Sequence, residues 1–397
     1  MSNTSMIYLD CAASTPIDNR VKEDILCSLD NEWFNPGGIY ESARTIRKEV
    51  DYARQQVKDL INSDKSKNDD IIFCSCGSEA NNLAIKGFIE TYSNSLLITD
   101  LVSHPSIYNI AEKYYFDDIE KTNVIYCCND EFGRLDLNDL EYIFKTIDYK
   151  HTKVLVATTW VNNETGVIND LKAISKITHK YGGYVLADLC QGIYHLHTDV
   201  TEWNVDMATF TSEKMGCPRG VSVLYKKRDL LIKPQIIGGG QEGGFRSGTE
   251  NTTMIIPFGK QCQRISCEID DYIATEEQLQ TKLMTTIATA CINAKCGLVF
   301  NPENAEYDFL TNNILSVRFE GIDNQELITL LDQYGVMCSA GSACSAGEKK
   351  PSRVLLRIGL TEKEVLSTIR FSFDHTLTEE DIKKFGKILK KCLMALK

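Results

Sequence analysis

The sequence has no hydrophobic run long enough to cross a membrane and no excess of positive charge. No apolar stretch approaches the roughly 18 residues that a membrane-spanning helix needs, and residues 1–10 lack the apolar segment of a signal peptide. The net charge of −12 disfavours broad binding to nucleic acid or to anionic membranes. Internal repeats and low-complexity linkers are also missing. These absences predict a cytoplasmic protein with no membrane partner and no direct nucleic-acid partner.

Metal-type cysteine motifs are missing as well, although the chain has 15 cysteines. No pair of CxxC motifs stands at zinc-site spacing, so we expect no metal site. Most of these thiols are expected to be small buried side chains in a reducing compartment. Cys344 differs, because it lies in the segment SAGSACSAG, whose small residues favour a mobile loop. Packing explains a thiol there poorly, whereas reactivity explains it well.

The chain is long enough, and at 43% hydrophobic residues apolar enough, for two domains. From the segment IIFC to the segment YVLAD, strand patterns alternate with helix patterns, which predicts an α/β domain with a mostly parallel, doubly wound sheet. Ligands of such sheets bind at the carboxyl ends of the strands. A long helical region then leads to a smaller α+β C-terminal domain. We predict a large domain over residues 16–260 and a small domain over 1–15 and 261–397, which carries the Cys344 loop.

One stretch, from Tyr184 to Lys214, places an acid and a lysine at the ends of two predicted strands. The strand YVLAD ends at Asp188, and the segment MATFTSEK ends at Lys214. Pyridoxal phosphate needs such a pair, because a lysine amine holds its aldehyde and a carboxylate keeps its pyridine nitrogen protonated. Both residue types are common at strand ends, so the pair taken alone more often marks a solvated surface.

Three further segments carry candidate polar side chains. Ser78, in GSEANN, suits the N-cap of a helix whose first backbone N–H groups can bind an anion, although most serine-capped helices bind nothing. His104, which opens HPSIYN, equally fits a surface histidine at the start of a helix. Asn163, in VNNETG, equally fits a plain turn after a buried strand. None of these segments predicts a function by itself.

Two more positions depend on neighbours elsewhere in the chain. Gln191 follows Asp188 by three residues, so the two side chains can meet if a helical turn begins there. Arg370 lies inside the apolar strand pattern IRFSF and needs an anionic partner if it is buried. The segment GGGQEGGFRSGTEN is either a flexible loop or a contact for a phosphate or a partner subunit.

Taken in order, ten motifs resemble those of the cysteine desulfurases of the class V aminotransferase fold, in the iron–sulfur-cluster and nitrogenase-type branch. They are YLDCAASTP, FNP, GSEANNLAIKG, SHPS, VNNETG, DLCQ, SEK, GGGQEGGFRSGTEN, SAGSACSAG and IRFSF. The resemblance covers nearly the whole chain. It implies a homodimeric transferase of fold type I, dependent on pyridoxal 5'-phosphate. It also implies conversion of L-cysteine to L-alanine, with sulfur passed to a protein acceptor for iron–sulfur cluster assembly or for thiolation of tRNA or DNA.

The resemblance implies a role for each candidate around the cofactor ring. Lys214 would hold the cofactor, and Asp188 would pair with the pyridinium nitrogen. His104 would stack on the ring and transfer protons. Gln191 and Asn163 would lie near the phenolic oxygen and the substrate.

The remaining implied roles concern the phosphate, the substrate and the sulfur. Cofactor binding is further implied for Gly77, Ser78 and Thr211, the last two at the phosphate. Thr249 would reach the phosphate from the other subunit of the dimer. Arg370 would bind the substrate carboxylate in a bidentate pair. Cys344 would attack the sulfur of the bound cysteine and carry it as a persulfide.

The sequence departs from the family pattern at several positions. The residue before the lysine is Glu213 instead of the usual histidine, and a carboxylate there would repel the cofactor phosphate. Either Glu213 points away, or a cation offsets it, or the affinity for the cofactor is lowered. The other departures are Cys76 for glycine, Cys11 for asparagine, Gly243 for arginine, and Asp374-His375 for Gly-Arg.

Two other functions stay open from the sequence. A related lyase acting on selenocysteine, cysteine sulfinate or another amino acid would need no attacking thiol for the first two substrates. A non-catalytic scaffold that has lost its cofactor is the second alternative, and Glu213 is the residue that motivates it. Retention of Lys214, Asp188 and Cys344 favours the cysteine desulfurase.

Overall fold

The computed structural model describes residues 6–64, 66–67, 69–117, 124–341 and 351–397. Its strands are β1 (Ile7–Tyr8), β2 (Asp70–Cys74), β3 (Ser95–Asp100), β4 (Val124–Cys127), β5 (Lys153–Thr159), β6 (Tyr184–Asp188), β7 (Met207–Thr211), β8 (Ser222–Lys226), β9 (Leu298–Asn301), β10 (Ile314–Phe319), β11 (Val336–Met337) and β12 (Thr368–Ser372). Its α-helices are α1 (Asn19–Asn31), α2 (Glu41–Leu60), α3 (Gly77–Thr91), α4 (Pro105–Asp117), α5 (Leu137–Thr146), α6 (Leu171–Lys180), α7 (Val200–Trp203), α8 (Thr252–Ala294), α9 (Asn324–Gln333), α10 (Arg353–Arg357), α11 (Glu362–Val365) and α12 (Glu379–Ala395). Short 3-10 turns span Ser212–Lys214, Glu242–Gly244 and Tyr307–Phe309.

Within the described ranges, the large sheet has seven strands in the order β2-β8-β7-β6-β5-β3-β4. The strands from β7 to β4 in this order are parallel, whereas β8 and the edge strand β2 are antiparallel to their neighbours. Strands β3, β5 and β6 are buried along nearly their whole length. Alternate strand residues contribute to two separate hydrophobic clusters, one on each face, because helices cover both faces. The predicted mostly parallel, doubly wound sheet is confirmed.

Helix α2 is amphipathic. Its apolar positions recur every three to four residues, and this face is buried against the core at Ile46, Val50, Ala53, Val57 and Leu60. The terminal helix α12 begins with a capping box, in which Thr378 and Asp381 exchange side-chain and backbone hydrogen bonds.

The start of helix α3 differs from the prediction. Ser78 was expected to cap this helix, but the N-cap residue is Cys76, in extended backbone at φ −159° and ψ 161°. The helix therefore begins at Gly77, and Ser78 lies in its first turn. Among the residues that the structure describes, no side chain caps the first backbone N–H groups of α3. These groups remain available to an anion, which is the property that matters for the site.

A second hydrophobic core lies around a smaller antiparallel sheet in which β10 pairs with both β9 and β12. The short strand β1 joins this core by pairing with β11. Helix α8 contributes to both cores, with Ile255 and Ile265 in the large one and Leu283 and Ile287 in the small one. The α+β character of the C-terminal region is confirmed, and the exact domain boundaries stay a prediction.

Across the described ranges, no helix combines the length and the apolar character that crossing a membrane requires. In the same part of the chain, no cluster of three or more His, Cys, Asp or Glu side chains is arranged to hold a metal ion.

Candidate active site

A cavity of about 270 Å³ opens at the carboxyl ends of β5, β6 and β7. The last residues of these strands, Thr159, Asp188 and Thr211, are part of its wall. Most of the candidate site residues from other segments also line this cavity: Gly77, Ser78, His104, Asn163, Gln191, Lys214 and Arg370. A larger groove of about 810 Å³ runs along α8, but it contains none of the candidate residues. We place the site in the smaller cavity, where the reactive side chains converge.

Lys214 projects into this cavity from the 3-10 turn that follows β7. Its amine donates hydrogen bonds to the backbone carbonyls of Ala12 at 2.8 Å and Ala13 at 2.5 Å. Burial lowers the pKa of the Lys214 amine below its ordinary value. A lysine with a lowered pKa is more often neutral, and only the neutral amine can attack an aldehyde.

Asp188 is buried at the end of β6, and its carboxylate is held on both oxygens. Oδ1 accepts the backbone N–H of Cys190 at 3.0 Å, and Oδ2 accepts the side-chain N–H of Asn81 at 2.9 Å. Gln191 does not bond to this carboxylate as the sequence allowed, since its amide donates to the Ala12 carbonyl at 2.9 Å. The carboxylate is thus fixed in position while it still lines the cavity.

Asn81 is a positioning residue that the sequence analysis missed. It is fully buried in α3, and its amide also donates to Ser106 Oγ at 2.8 Å and accepts from the Thr209 hydroxyl at 2.7 Å. One pattern could have revealed it, because Asn81 is a polar residue among the alanines and leucines of the buried face of α3. A polar side chain at such a position must have buried partners.

His104 lies just before α4 and lines the same cavity. Its Nδ1 accepts the backbone N–H of Ser106 at 3.1 Å and lies 2.8 Å from the Ser106 hydroxyl. We therefore assign the proton of the neutral ring to Nε2. Burial lowers the pKa of the imidazole, an effect that the Asp188 carboxylate opposes and the Lys214 cation reinforces. A neutral imidazole beside a lysine can accept and return protons.

Arg370 is almost fully buried in β12 and has the anionic partner that its burial requires. One terminal nitrogen donates to Asp10 at 2.8 Å and the other to the backbone carbonyl of Asn163 at 2.7 Å. Its Nε–H finds no acceptor in the described part of the chain. A buried donor without a partner at a cavity wall is a place where a ligand carboxylate can bind.

The other end of the cavity is formed by the start of α3 and the end of β7. A side-chain carbon at Gly77 would lie 3.5 Å from the Cys190 sulfur and 3.8 Å from Thr211, so these three residues are close together. The Thr211 hydroxyl donates a short hydrogen bond to the carboxylate of Glu213. Glu213 also lines the cavity, so the alternative in which its side chain points away from the site is wrong.

Most of the other departures from the family pattern do not reach the cavity. Cys76 lines it, but Cys11, Gly243, Asp374 and His375 are not among its lining residues. His375 instead stacks on a tyrosine of α8 at a ring distance of 3.7 Å. Glu213 is thus the departure that changes the charge of the site.

Two predicted site residues are not brought to the cavity by the described chain. Thr249 is exposed on the loop before α8 and is not part of the cavity wall. Cys344 lies outside the described residues.

Pyridoxal phosphate is compatible with the residues present. The cavity supplies a lysine of lowered pKa, a buried carboxylate, an imidazole and the uncapped N-terminus of α3 within one enclosure. The unpartnered Nε–H of Arg370 at the wall suits the carboxylate of an amino acid substrate. Glu213, at the anion-binding end, is the one group whose charge opposes the phosphate.

Comparison with known proteins supports the same family. The model of the aminotransferase class-V family matches residues 7–385. The cysteine desulfurase of Nostoc sp. is 29% identical over 394 residues, covering 99% of this chain and 94% of that protein. The cysteine desulfurase IscS of Clostridium botulinum (strain Hall) is 31% identical over 391 residues, covering 98% and 94%.

Solved structures show the same similarity. The X-ray structure of a NifS-like protein from Rickettsia africae has a TM-score of 0.86 and 30% identity, covering 98% of this chain and 99% of that one. A structure of SspA in complex with cysteine has a TM-score of 0.76 and 27% identity, covering 92% and 98%. The predicted fold class, an α/β transferase of fold type I, and the resemblance to cysteine desulfurases are confirmed. The chain belongs to the aminotransferase class-V family.

Proposed function

We propose that this protein is a pyridoxal-phosphate-dependent cysteine desulfurase, which converts L-cysteine to L-alanine and transfers the sulfur through Cys344. The observation that carries the proposal is the meeting of Lys214, Asp188 and His104 in one cavity. The similarity to cysteine desulfurases over nearly the whole chain, and to a structure described as a complex with cysteine, supports the substrate.

Each residue of the cavity has a defined task in this proposal. Pyridoxal phosphate, when bound, links to the amino group of the substrate and withdraws electrons from its carbon atoms. Lys214 supplies the amine that holds the cofactor, and Asp188 balances the charge of a protonated ring nitrogen. His104 holds a proton on Nε2, and Arg370 orients the substrate through its carboxylate.

Sulfur transfer requires a nucleophile, which the proposal assigns to Cys344. Its thiolate attacks the sulfur of the bound cysteine, and a new S–S bond forms as the carbon–sulfur bond breaks. The electron pair left on carbon takes a proton, which gives alanine. The persulfide sulfur then passes to an acceptor thiol, and a protein acceptor is part of the proposal.

A homodimer is also part of the proposal. The Thr252 hydroxyl donates to the Glu32 carbonyl at 2.7 Å, so the start of α8, three residues after Thr249, lies at the segment that contains Trp33. Trp33 is 64% exposed, and Ile39, farther along the same segment, is 88% exposed. These exposed apolar side chains, on a segment bonded to the start of α8, support a subunit interface through which Thr249 would reach the other cavity. A cytoplasmic location stays a prediction from the sequence.

The test uses Cys344→Ser, with Cys267→Ser as a matched control because Cys267 is an exposed thiol on α8. The wild-type protein should be yellow, release alanine from L-cysteine and gain one sulfur atom on Cys344 by mass spectrometry. Cys344→Ser should keep the colour and lose sulfur release from cysteine, whereas Cys267→Ser should behave as wild type. Sulfur release by Cys344→Ser would contradict the persulfide role, and a protein that stays colourless with added cofactor would contradict the enzyme itself.

A further inference from the structure

Glu213 lies at the anion-binding end of the cavity, next to the lysine. Its carboxylate accepts the hydroxyl proton of Thr211, and both residues line the cavity together with Gly77 and Ser78. This end has the uncapped N–H groups of α3, which favour a negative charge. Glu213 adds a carboxylate to the same cavity, where it is bonded to the Thr211 hydroxyl.

The position of Glu213 is fixed by its backbone. Its carbonyl accepts the Thr15 N–H at 2.9 Å and the Thr15 hydroxyl at 3.0 Å. The residue also belongs to the 3-10 turn that carries Lys214. Since the backbone is anchored from two sides, a ligand can displace the carboxylate only by rotating the side chain. Moving the carboxylate away from this end therefore requires rotation of the Glu213 side chain and loss of its hydrogen bond from Thr211.

A phosphate at this end would compete with Glu213 for the same donor. The Thr211 hydroxyl has one proton, which it now gives to Glu213, with the Val221 carbonyl at 3.4 Å as a weaker acceptor. Nearby cations are already engaged. Arg246 pairs with Glu79 in the first turn of α3 at 2.7 Å, and Lys214 donates to backbone carbonyls.

From this geometry we propose that Glu213 is a specificity-determining residue that disfavours the cofactor phosphate. Its carboxylate holds the Thr211 hydroxyl in the cavity that Gly77 and Ser78 also line, and a phosphate there must take over that hydroxyl. The inference rests on the proposed function, because it assumes that pyridoxal phosphate is the ligand. The inference predicts that the phosphate adds little binding affinity. The protein should therefore bind pyridoxal almost as tightly as pyridoxal phosphate.

The experiment compares the Kd of pyridoxal phosphate with that of pyridoxal, by equilibrium dialysis of the full-length protein after removal of copurified cofactor. Pyridoxal is largely an internal hemiacetal in water, a cost that is the same for every variant, so the change of the Kd ratio from wild type to variant isolates the phosphate. Glu213→Gln should tighten binding of pyridoxal phosphate roughly ten- to hundredfold, the range expected for a gained hydrogen bond to a charged group. The Kd of pyridoxal should change by less than about threefold, since it carries no charge at this end.

Two further variants identify the cause. Thr211→Val in the Glu213→Ala background should remove most of the gain, because alanine leaves the Thr211 hydroxyl free for the phosphate. Glu306→Gln removes an exposed acid between β9 and β10 and should leave the ratio unchanged. Circular dichroism and thermal unfolding check that each variant is folded, and Glu213→Ala provides a second neutral side chain.

The outcomes separate this inference from the proposed function. An unchanged Kd ratio in both Glu213→Gln and Glu213→Ala, with pyridoxal phosphate still bound by the wild type, would overturn the inference alone. Equal tightening of both compounds would overturn it too, because the effect would then not involve the phosphate. Failure of every folded variant to bind either compound would overturn the proposed function and the inference with it.

Discussion

Substitution of Asn81 tests whether the carboxylate of Asp188 depends on a buried neighbour that no motif identified. In Asn81→Ala, Asp188 loses the 2.9 Å hydrogen bond to its Oδ2, and the Thr209 hydroxyl loses its acceptor at 2.7 Å. All three side chains are buried, so water cannot readily replace the lost partner.

The expected magnitude follows from these contacts. Loss of a hydrogen bond to a charged group costs about 1.5–3 kcal/mol, and a buried hydroxyl left without an acceptor costs about 1–3 kcal/mol. The two costs share one side chain and do not add fully, so we expect a loss of about 3–4 kcal/mol in the free energy of unfolding. The higher helix propensity of alanine returns roughly 0.6 kcal/mol.

Asn82→Ala is the matched control, because Asn82 is the next residue of α3 and has the same gain in helix propensity. Its side chain bonds the Ser78 carbonyl at an exposed position, so its loss should cost less than about 1 kcal/mol. Urea unfolding of the two variants measures the difference, and dialysis against pyridoxal phosphate should show weaker binding only for Asn81→Ala. Unfolding free energies that agree to within about 0.5 kcal/mol would refute the reasoning.

Two other predictions concern charge. Because burial lowers the pKa of His104, the unfolded chain takes up a proton that the folded chain does not. Stability should therefore fall as the pH drops below the ordinary value of 6.5, and His104→Gln should reduce that fall in urea titrations across pH. An undiminished fall in His104→Gln would assign it to other groups. Arg370→Gln should raise the KM for L-cysteine roughly hundredfold, because about 3 kcal/mol of charge-assisted hydrogen bonding is lost. Arg318→Gln, whose guanidinium pairs with Glu364, should leave the KM unchanged; equal effects of the two would contradict the substrate contact.

The charge of Glu213 also bears on the scaffold alternative. A site that binds the cofactor phosphate weakly still retains its lysine, its buried carboxylate and its imidazole. If the cofactor is lost during purification, the cause would then be the Glu213 carboxylate, which weakens binding of the cofactor phosphate. Added pyridoxal phosphate should restore the colour, whereas a true scaffold would stay colourless.

Local sequence patterns predicted the secondary structure because hydrophobic periodicity and strand composition act over a few residues. The helix Leu137–Thr146, the strand Tyr184–Asp188 and the buried face of Glu41–Leu60 all follow from such patterns. The N-cap of α3 was not predicted correctly, because cysteine has no side-chain preference for that position. Cys76 is the N-cap because its backbone is extended where the chain enters the helix.

The sequence by itself determined the fold class and the inventory of the site, because ten ordered motifs carry Lys214, Asp188 and His104. The tertiary structure decided which groups touch. Asn81 fixes Asp188 across 107 residues of chain, and Glu213 takes the hydroxyl of Thr211 instead of turning away. The first contact depends on where α3 meets the end of β6, whereas the second joins residues two apart and depends on the direction in which the Glu213 side chain turns. The packing of α3 against the end of β6 sets the hydrogen bond from Asn81 to the buried Asp188 carboxylate, and sequence spacing does not encode that packing.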